Sequence, residues 1–102
     1  MANIAVIFHR LAALEYHRAH AWYARRSPAA ALRFRDEVRR VVQLIDQAPD
    51  QGVVYRGPFR WMRLRRYPYV LYYAQVSPTQ VTVFAVAHAS RRTGYWLRRT
   101  RP

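Results

Sequence analysis

The chain has 102 residues, 52% of them hydrophobic: long enough for one domain with a core, and too apolar for a disordered segment. It has no cysteine, which excludes disulfides, thiolate metal sites and a cysteine nucleophile, and suits a reducing cytoplasm. Its 18 Lys+Arg, all of them arginine, stand against 5 Asp+Glu, and the net charge of +13 predicts a polyanionic partner, nucleic acid or an acidic protein.

In chain order, Asn3–His9 alternates Ile4, Val6 and Phe8 with Ala5 and Ile7 and reads as a short strand. Its apolar run is too short for a signal-peptide core and is followed by His9 and Arg10. From Leu11 the period becomes helical: Ala12, Tyr16, Ala19, Trp22 and Tyr23 form one stripe, ending near Arg26. Ser27-Pro28 supplies an N-cap hydroxyl and a proline at the first position of a second helix. That helix carries a narrow apolar seam of Ala31, Phe34, Val38, Val41, Ile45 and Ala48, and ends at Pro49. Tyr55–Pro58 reads as a loop. Three strands are expected at Phe59–Arg66, Tyr69–Val76 and Val81–His88, the last two joined by a turn over Ser77–Gln80. Residues 1–102 are thus read as a single α+β domain of order β-α-α-β-β-β, a helical hairpin packed on one face of an antiparallel sheet. The other face is left free for function. Polar interruptions at Gln75, Ser77 and Gln80 break the C-terminal apolar region, so no membrane partner is expected.

Two regions could carry chemistry. Phe59–Arg66 holds four arginines in eight residues: Arg60 and Arg66 share parity with Met62 and Leu64, Arg63 and Arg65 with Phe59 and Trp61. Either face therefore leaves arginines for solvent or a ligand; the bland alternative is a charged edge strand that deters aggregation. The second region follows the last strand. His88 shares parity with Phe84 and Val86, and Arg91, Arg92, Tyr95 and Trp96 come next. Together these could move a proton, stabilise an anion and stack a base. They could equally anchor the C-terminus, since Tyr and Trp often complete a core. All five acidic residues map to the helices or the loop after them, so a Glu/His pair on the sheet is not expected. His17 and His20 lack an evident third ligand, and neither a metal nor any other cofactor is expected.

Arg65–Tyr73 ("RRYPYVLYY"), Ala85–His88 ("AVAH") and Arg91–Trp96 ("RRTGYW"), after Trp22–Phe34 ("WYARRSPAAALRF"), resemble the RelE/ParE superfamily, toxins of type II toxin–antitoxin systems often labelled plasmid stabilisation proteins. Tyr67 stands where that family usually has Phe, and Thr93 where many members have Pro. The resemblance implies a helical hairpin on an antiparallel sheet, a cytoplasmic protein, and an acidic antitoxin as partner in a hetero-oligomer. It implies one of two activities: ribosome-dependent, metal-independent mRNA cleavage as in RelE-like members, or non-enzymatic binding of DNA gyrase as in ParE-like members. For cleavage, His88, Arg60, Arg65, Arg91 and Tyr95 are the candidate catalytic residues. Arg63, Arg66, Arg92, Trp96, Arg98 and Arg99 are candidates for holding nucleic acid or another target. The chain lacks the lysines typical of RelE. The alternative is a non-toxic basic module that binds nucleic acid.

Overall fold

Each helix begins where a side chain can satisfy its first free backbone donors. In the computed structural model, which describes residues 4–100, the elements run β1 (Ala5–Phe8), α1 (Arg10–Ala24), α2 (Pro28–Gln47), β2 (Val53–Arg56), β3 (Phe59–Arg63), β4 (Tyr69–Ser77) and β5 (Gln80–His88). His9 caps α1, its Nδ1 accepting the Leu11 N–H at 3.1 Å. Ser27 caps α2 as its sequence suggests, its Oγ accepting the Ala30 N–H at 2.9 Å with Pro28 next in line. The seam of α2 is buried as read: Ala31, Phe34, Val38, Val41 and Ile45 all face inward. On α1 the stripe is less regular. Ala12 and Ala19 are buried, whereas Trp22 is exposed under the guanidinium of Arg26, 3.2 Å from its ring centre.

The sheet has five strands in the order β1-β5-β4-β3-β2 and is mixed. β4 pairs antiparallel with β3 and β5, and β3 with β2, but β1 runs parallel to β5, Val6 opposite Val81. The helical hairpin carries the chain from one edge of the sheet to the other, so the last strand slots in beside the first. This corrects the expected all-antiparallel sheet. A second correction is β2, which takes in Tyr55 and Arg56 of the expected loop over Tyr55–Pro58. Its residues Val53 and Val54 are exposed on an edge and show no alternation of burial, and the true turn is confined to Gly57 and Pro58. The expected first strand begins at Asn3, which lies outside the described residues.

Alpha-helix and sheet meet in a core of Phe34, Val38, Ile45, Leu71, Tyr73 and Val83 with their neighbours. Tyr73 shows how tightly its far end is fixed. Its hydroxyl donates to the Pro49 carbonyl at 2.8 Å and accepts the Gly52 N–H at 3.1 Å, with the side chain almost fully buried. A Cβ at Gly52 would collide with that hydroxyl and the ring carbons beside it. Gly52→Ala is therefore expected to destabilise the protein by about 1–3 kcal/mol, because a buried, doubly hydrogen-bonded ring must shift to admit one methyl. A urea denaturation midpoint equal to that of the parent would contradict this.

The face away from the helices is not free. A second cluster lies on it: Ala74, Phe84, Ala85 and Ala87 from the sheet, closed over by Trp96. Phe84 and Ala85, consecutive in sequence, both reach that face because β5 bulges there. Tyr72 pairs with Ala85 and Tyr73 with Val83, so Phe84 is the extra residue. The slip reverses parity along the strand: Val81 and Val83 point to the helices before it, Val86 after it. The expected line of Phe84, Val86 and His88 on one face is thereby broken.

Candidate functional site

Beyond β5 the chain makes a series of short turns. Ala89 N–H donates to the Pro68 carbonyl at 2.7 Å, Arg91 N–H to His88, Leu97 N–H to Gly94 and Arg99 N–H to Trp96. Gly94, with φ of 82°, takes the left-handed conformation that swings Tyr95 and Trp96 back onto the sheet. Leu97–Thr100 then forms a 3₁₀ turn along it. Trp96 is fully buried against Tyr55, Phe59 and Tyr72, ring centres 4.9–5.7 Å away. Among the described residues its indole nitrogen is the one buried side-chain polar atom without a partner. A residue expected to stack a base is thus part of the second core.

Glu15 on α1 holds the segment down. Its Oε1 accepts from the Val86 N–H at 3.0 Å and from Arg99 Nη1 at 2.9 Å; its Oε2 accepts from the Tyr95 hydroxyl at 2.6 Å and from Arg99 Nη2 at 3.0 Å. Arg99 also donates to the Phe84 carbonyl at 2.9 Å. The parallel partner β1 ends opposite Val83, so the next backbone groups of β5 have no strand beside them, and Glu15 and Arg99 take its place. Burial works to raise the Glu15 pKa, but the hydrogen bonds from Arg99, Tyr95 and Val86 outweigh it and hold the group below the usual glutamate range. The Tyr95 phenol moves the other way, pushed up by burial and then by its bond to Glu15. A carboxylate thus reaches the C-terminal cluster from α1, 80 residues before Tyr95, and it pairs with Tyr95 and Arg99.

Against this anchored segment lies a concavity of about 270 Å³, bounded by β2–β5 on one side and Ala89–Tyr95 on the other. Trp61 and Arg63 on β3, Tyr72 on β4 and Tyr55 on β2 line its sheet side; His88, Arg91, Arg92 and Tyr95 line the rest. None of its lining residues is acidic. Arg91 lies over the Tyr95 ring, 3.9 Å from its centre. His88 is exposed, its ring edge-on to Tyr69 at 5.2 Å. Its Nδ1 accepts the Ser90 N–H at 3.0 Å and lies 2.7 Å from the Ser90 hydroxyl, which leaves Nε2 as the nitrogen free to meet a ligand.

The structure brings His88, Arg91, Arg92, Tyr95 and Arg63 of the expected set into one concavity and leaves the others out of its lining, although Arg99 meets Tyr95 through Glu15. Arg60 pairs with Tyr73, four residues along β4 from Tyr69, the partner of His88. Its guanidinium donates to the Gly52 carbonyl at 2.9 Å. Arg65 and Arg66 follow the end of β3 and lie beside α2 with Arg33, Glu37 and Arg40. Arg98 is exposed on the 3₁₀ turn, and Arg99 is bound to Glu15. The sequence reading missed Glu15, Tyr55 and Tyr72. Tyr72 was legible as a second-face residue by its parity along β4, whereas Tyr55 was hidden in an assumed loop. Among the described residues no three His, Asp or Glu side chains gather where a metal could sit.

The family described as ParE toxin of type II toxin-antitoxin system, parDE, matches the chain over residues 6–93. Among solved structures the chain is similar to one from the chromosomal ParDE TA system of P. aeruginosa, with a TM-score of 0.69 and 18% sequence identity. That likeness covers 83% of this chain and 95% of the other, and at such low identity it concerns the fold. No curated protein matches the chain.

Proposed function

The chain belongs to the ParE toxin family of type II toxin–antitoxin systems, and from that premise we propose that it arrests growth by gripping DNA gyrase rather than by cutting mRNA, and that an acidic antitoxin neutralises it. The supporting observation is the state of the Tyr95 phenol. General acid–base cleavage of a phosphodiester needs one group to take a proton and another to give one. Tyr95 donates its hydrogen bond to Glu15, and burial beside that carboxylate holds its proton more firmly than usual. Glu15 in turn is bound to Arg99. His88 is left in the concavity without a carboxylate among its lining residues, and burial raises the pKa of the Tyr72 phenol there as well. Arginines and aromatic rings remain, and those residue types dominate the energetics of protein–protein contacts.

Purified protein is expected to block gyrase supercoiling with no ribosome present. His88→Ala should retain that inhibition, whereas Arg91→Glu with Arg92→Glu should weaken it by more than about tenfold. Cleavage of mRNA on translating ribosomes that disappears in His88→Ala would overturn the gyrase reading and make His88 a general acid or base.

A further inference from the structure

Arg65 and Arg66 stand apart from the concavity, on a loop whose construction calls for an explanation. Leu64–Pro68 joins β3 to β4 and is pinned at several points. Leu64 N–H donates to the Tyr69 carbonyl at 3.0 Å, the Arg65 N–H to a carboxylate oxygen of Glu37 on α2, and the Pro68 carbonyl accepts from Ala89. Tyr67 is wedged edge-on against Tyr23 and Phe34, ring centres 5.2 and 5.4 Å away. Glu37 is itself held by a two-pronged contact with Arg40 at 2.7 and 2.8 Å.

This scaffold presents Arg66 with φ of 65°, the one left-handed non-glycine residue among those described. A side chain there is strained, and glycine would hold the same turn at lower cost. Arg65 and Arg66 are both exposed, and with Arg33 of α2 they line a shallow concavity of about 430 Å³. Among the described residues none of the three arginines forms an ion pair, although Asp36 and Glu37 lie in the same concavity bound to Arg35 and Arg40. The scaffold thus fixes the loop backbone from which Arg65 and Arg66 project beside Arg33, three guanidinium groups without an ion pair on one surface.

We propose that this surface docks an acidic peptide segment, its carboxylates gripped by the forks of Arg33, Arg65 and Arg66. A peptide suits the site better than a nucleic acid does. The one aromatic ring in the concavity, Tyr67, is already packed on both Tyr23 and Phe34 instead of offering a face on which a base could stack. Arginine matches a carboxylate with two parallel hydrogen bonds. Assigning the segment to the antitoxin rests on the toxin–antitoxin reading above; the carboxylate preference of the site does not.

The test is fluorescence-anisotropy titration of the full chain with a labelled oligoglutamate peptide and, in parallel, a single-stranded oligodeoxynucleotide of equal charge. Arg66→Gly suits the left-handed backbone at that position and removes the side chain with its guanidinium. It should leave the thermal midpoint unchanged or raised and weaken peptide binding about tenfold, the loss of one charge-assisted pair. Arg33→Glu should weaken peptide binding at least as much, and Arg92→Glu, in the other concavity, by less than about twofold. Parental peptide affinity in Arg66→Gly would overturn the proposal. So would an equal loss of peptide and DNA binding, since the surface would then read charge alone. A wild-type protein that binds the peptide but leaves both gyrase and bacterial growth unaffected would sink the toxin reading and leave this site standing.

Discussion

Replacing Trp96 with alanine is expected to cost about 3–5 kcal/mol of stability, the range for emptying a fully buried aromatic site. Trp96 closes the second core over Phe84, Ala85 and Ala87, and Tyr55, Phe59 and Tyr72 pack around it. In a domain of this size such a loss lowers the melting temperature by roughly 20 °C. Trp96→Phe makes a sharper comparison. It preserves most ring contacts and deletes the unpartnered indole N–H, so its cost should stay near 1 kcal/mol. Urea titrations of the two variants would show the difference in midpoint at a common slope. Equal midpoints for alanine and phenylalanine would mean that the C-terminal segment does not hold the second face closed.

Glu15→Gln should be nearly as damaging, by about 3 kcal/mol, because it leaves Arg99 partly buried without its countercharge and weakens the bonds to Tyr95 and Val86. Both partners are little exposed, 11% for the Arg99 side chain and 13% for Glu15, so solvent screens the pair weakly. The pH dependence has a definite sign. The folded-state pKa of Glu15 lies below its ordinary value of 4.5, so the folded protein binds fewer protons than the unfolded chain in that region. The stability that Glu15 contributes is therefore complete above the ordinary value and is lost as pH falls through the lowered folded-state value. Glu37 adds a share of the same sign, since its bond from Arg40 lowers its pKa too. Unfolding free energy measured from neutral pH downward should fall through the acid range in the parent and fall less in Glu15→Gln. Identical acid profiles would remove Glu15 as the clamp.

Local features were legible in the sequence, and each for a local reason. The seam from Ala31 to Ile45 has a helical period with one apolar side, and Ser27-Pro28 can cap only the helix that follows it. The β4–β5 hairpin was readable because Pro78 suits the turn and both flanking runs are apolar. The site was only partly legible. His88, Arg91, Arg92 and Tyr95 lie close together in sequence and stay close in space. Arg60, Arg65 and Arg66 share one predicted strand, yet β3 ends at Arg63, so Arg65 and Arg66 turn toward α2, while Arg60 stays in the strand and is drawn to the Gly52 carbonyl.

By itself, then, the sequence determined the two helices, the Ser27 cap of the second, the final hairpin and the basic, cysteine-free composition whose charge predicts an anionic or acidic partner. These follow from short-range periodicity, from capping chemistry and from a sum over charges, none of which depends on how the chain is folded. Only the tertiary structure decided that β1 lies parallel to β5, that β2 forms an edge, and that the bulge at Phe84 turns that ring toward Trp96. It also decided that Glu15 reaches across to Tyr95 and Arg99. Pairings between residues some 70 to 80 positions apart leave no local trace. They are selected by which exposed strand edges and buried charges find partners once the hydrophobic layers have closed.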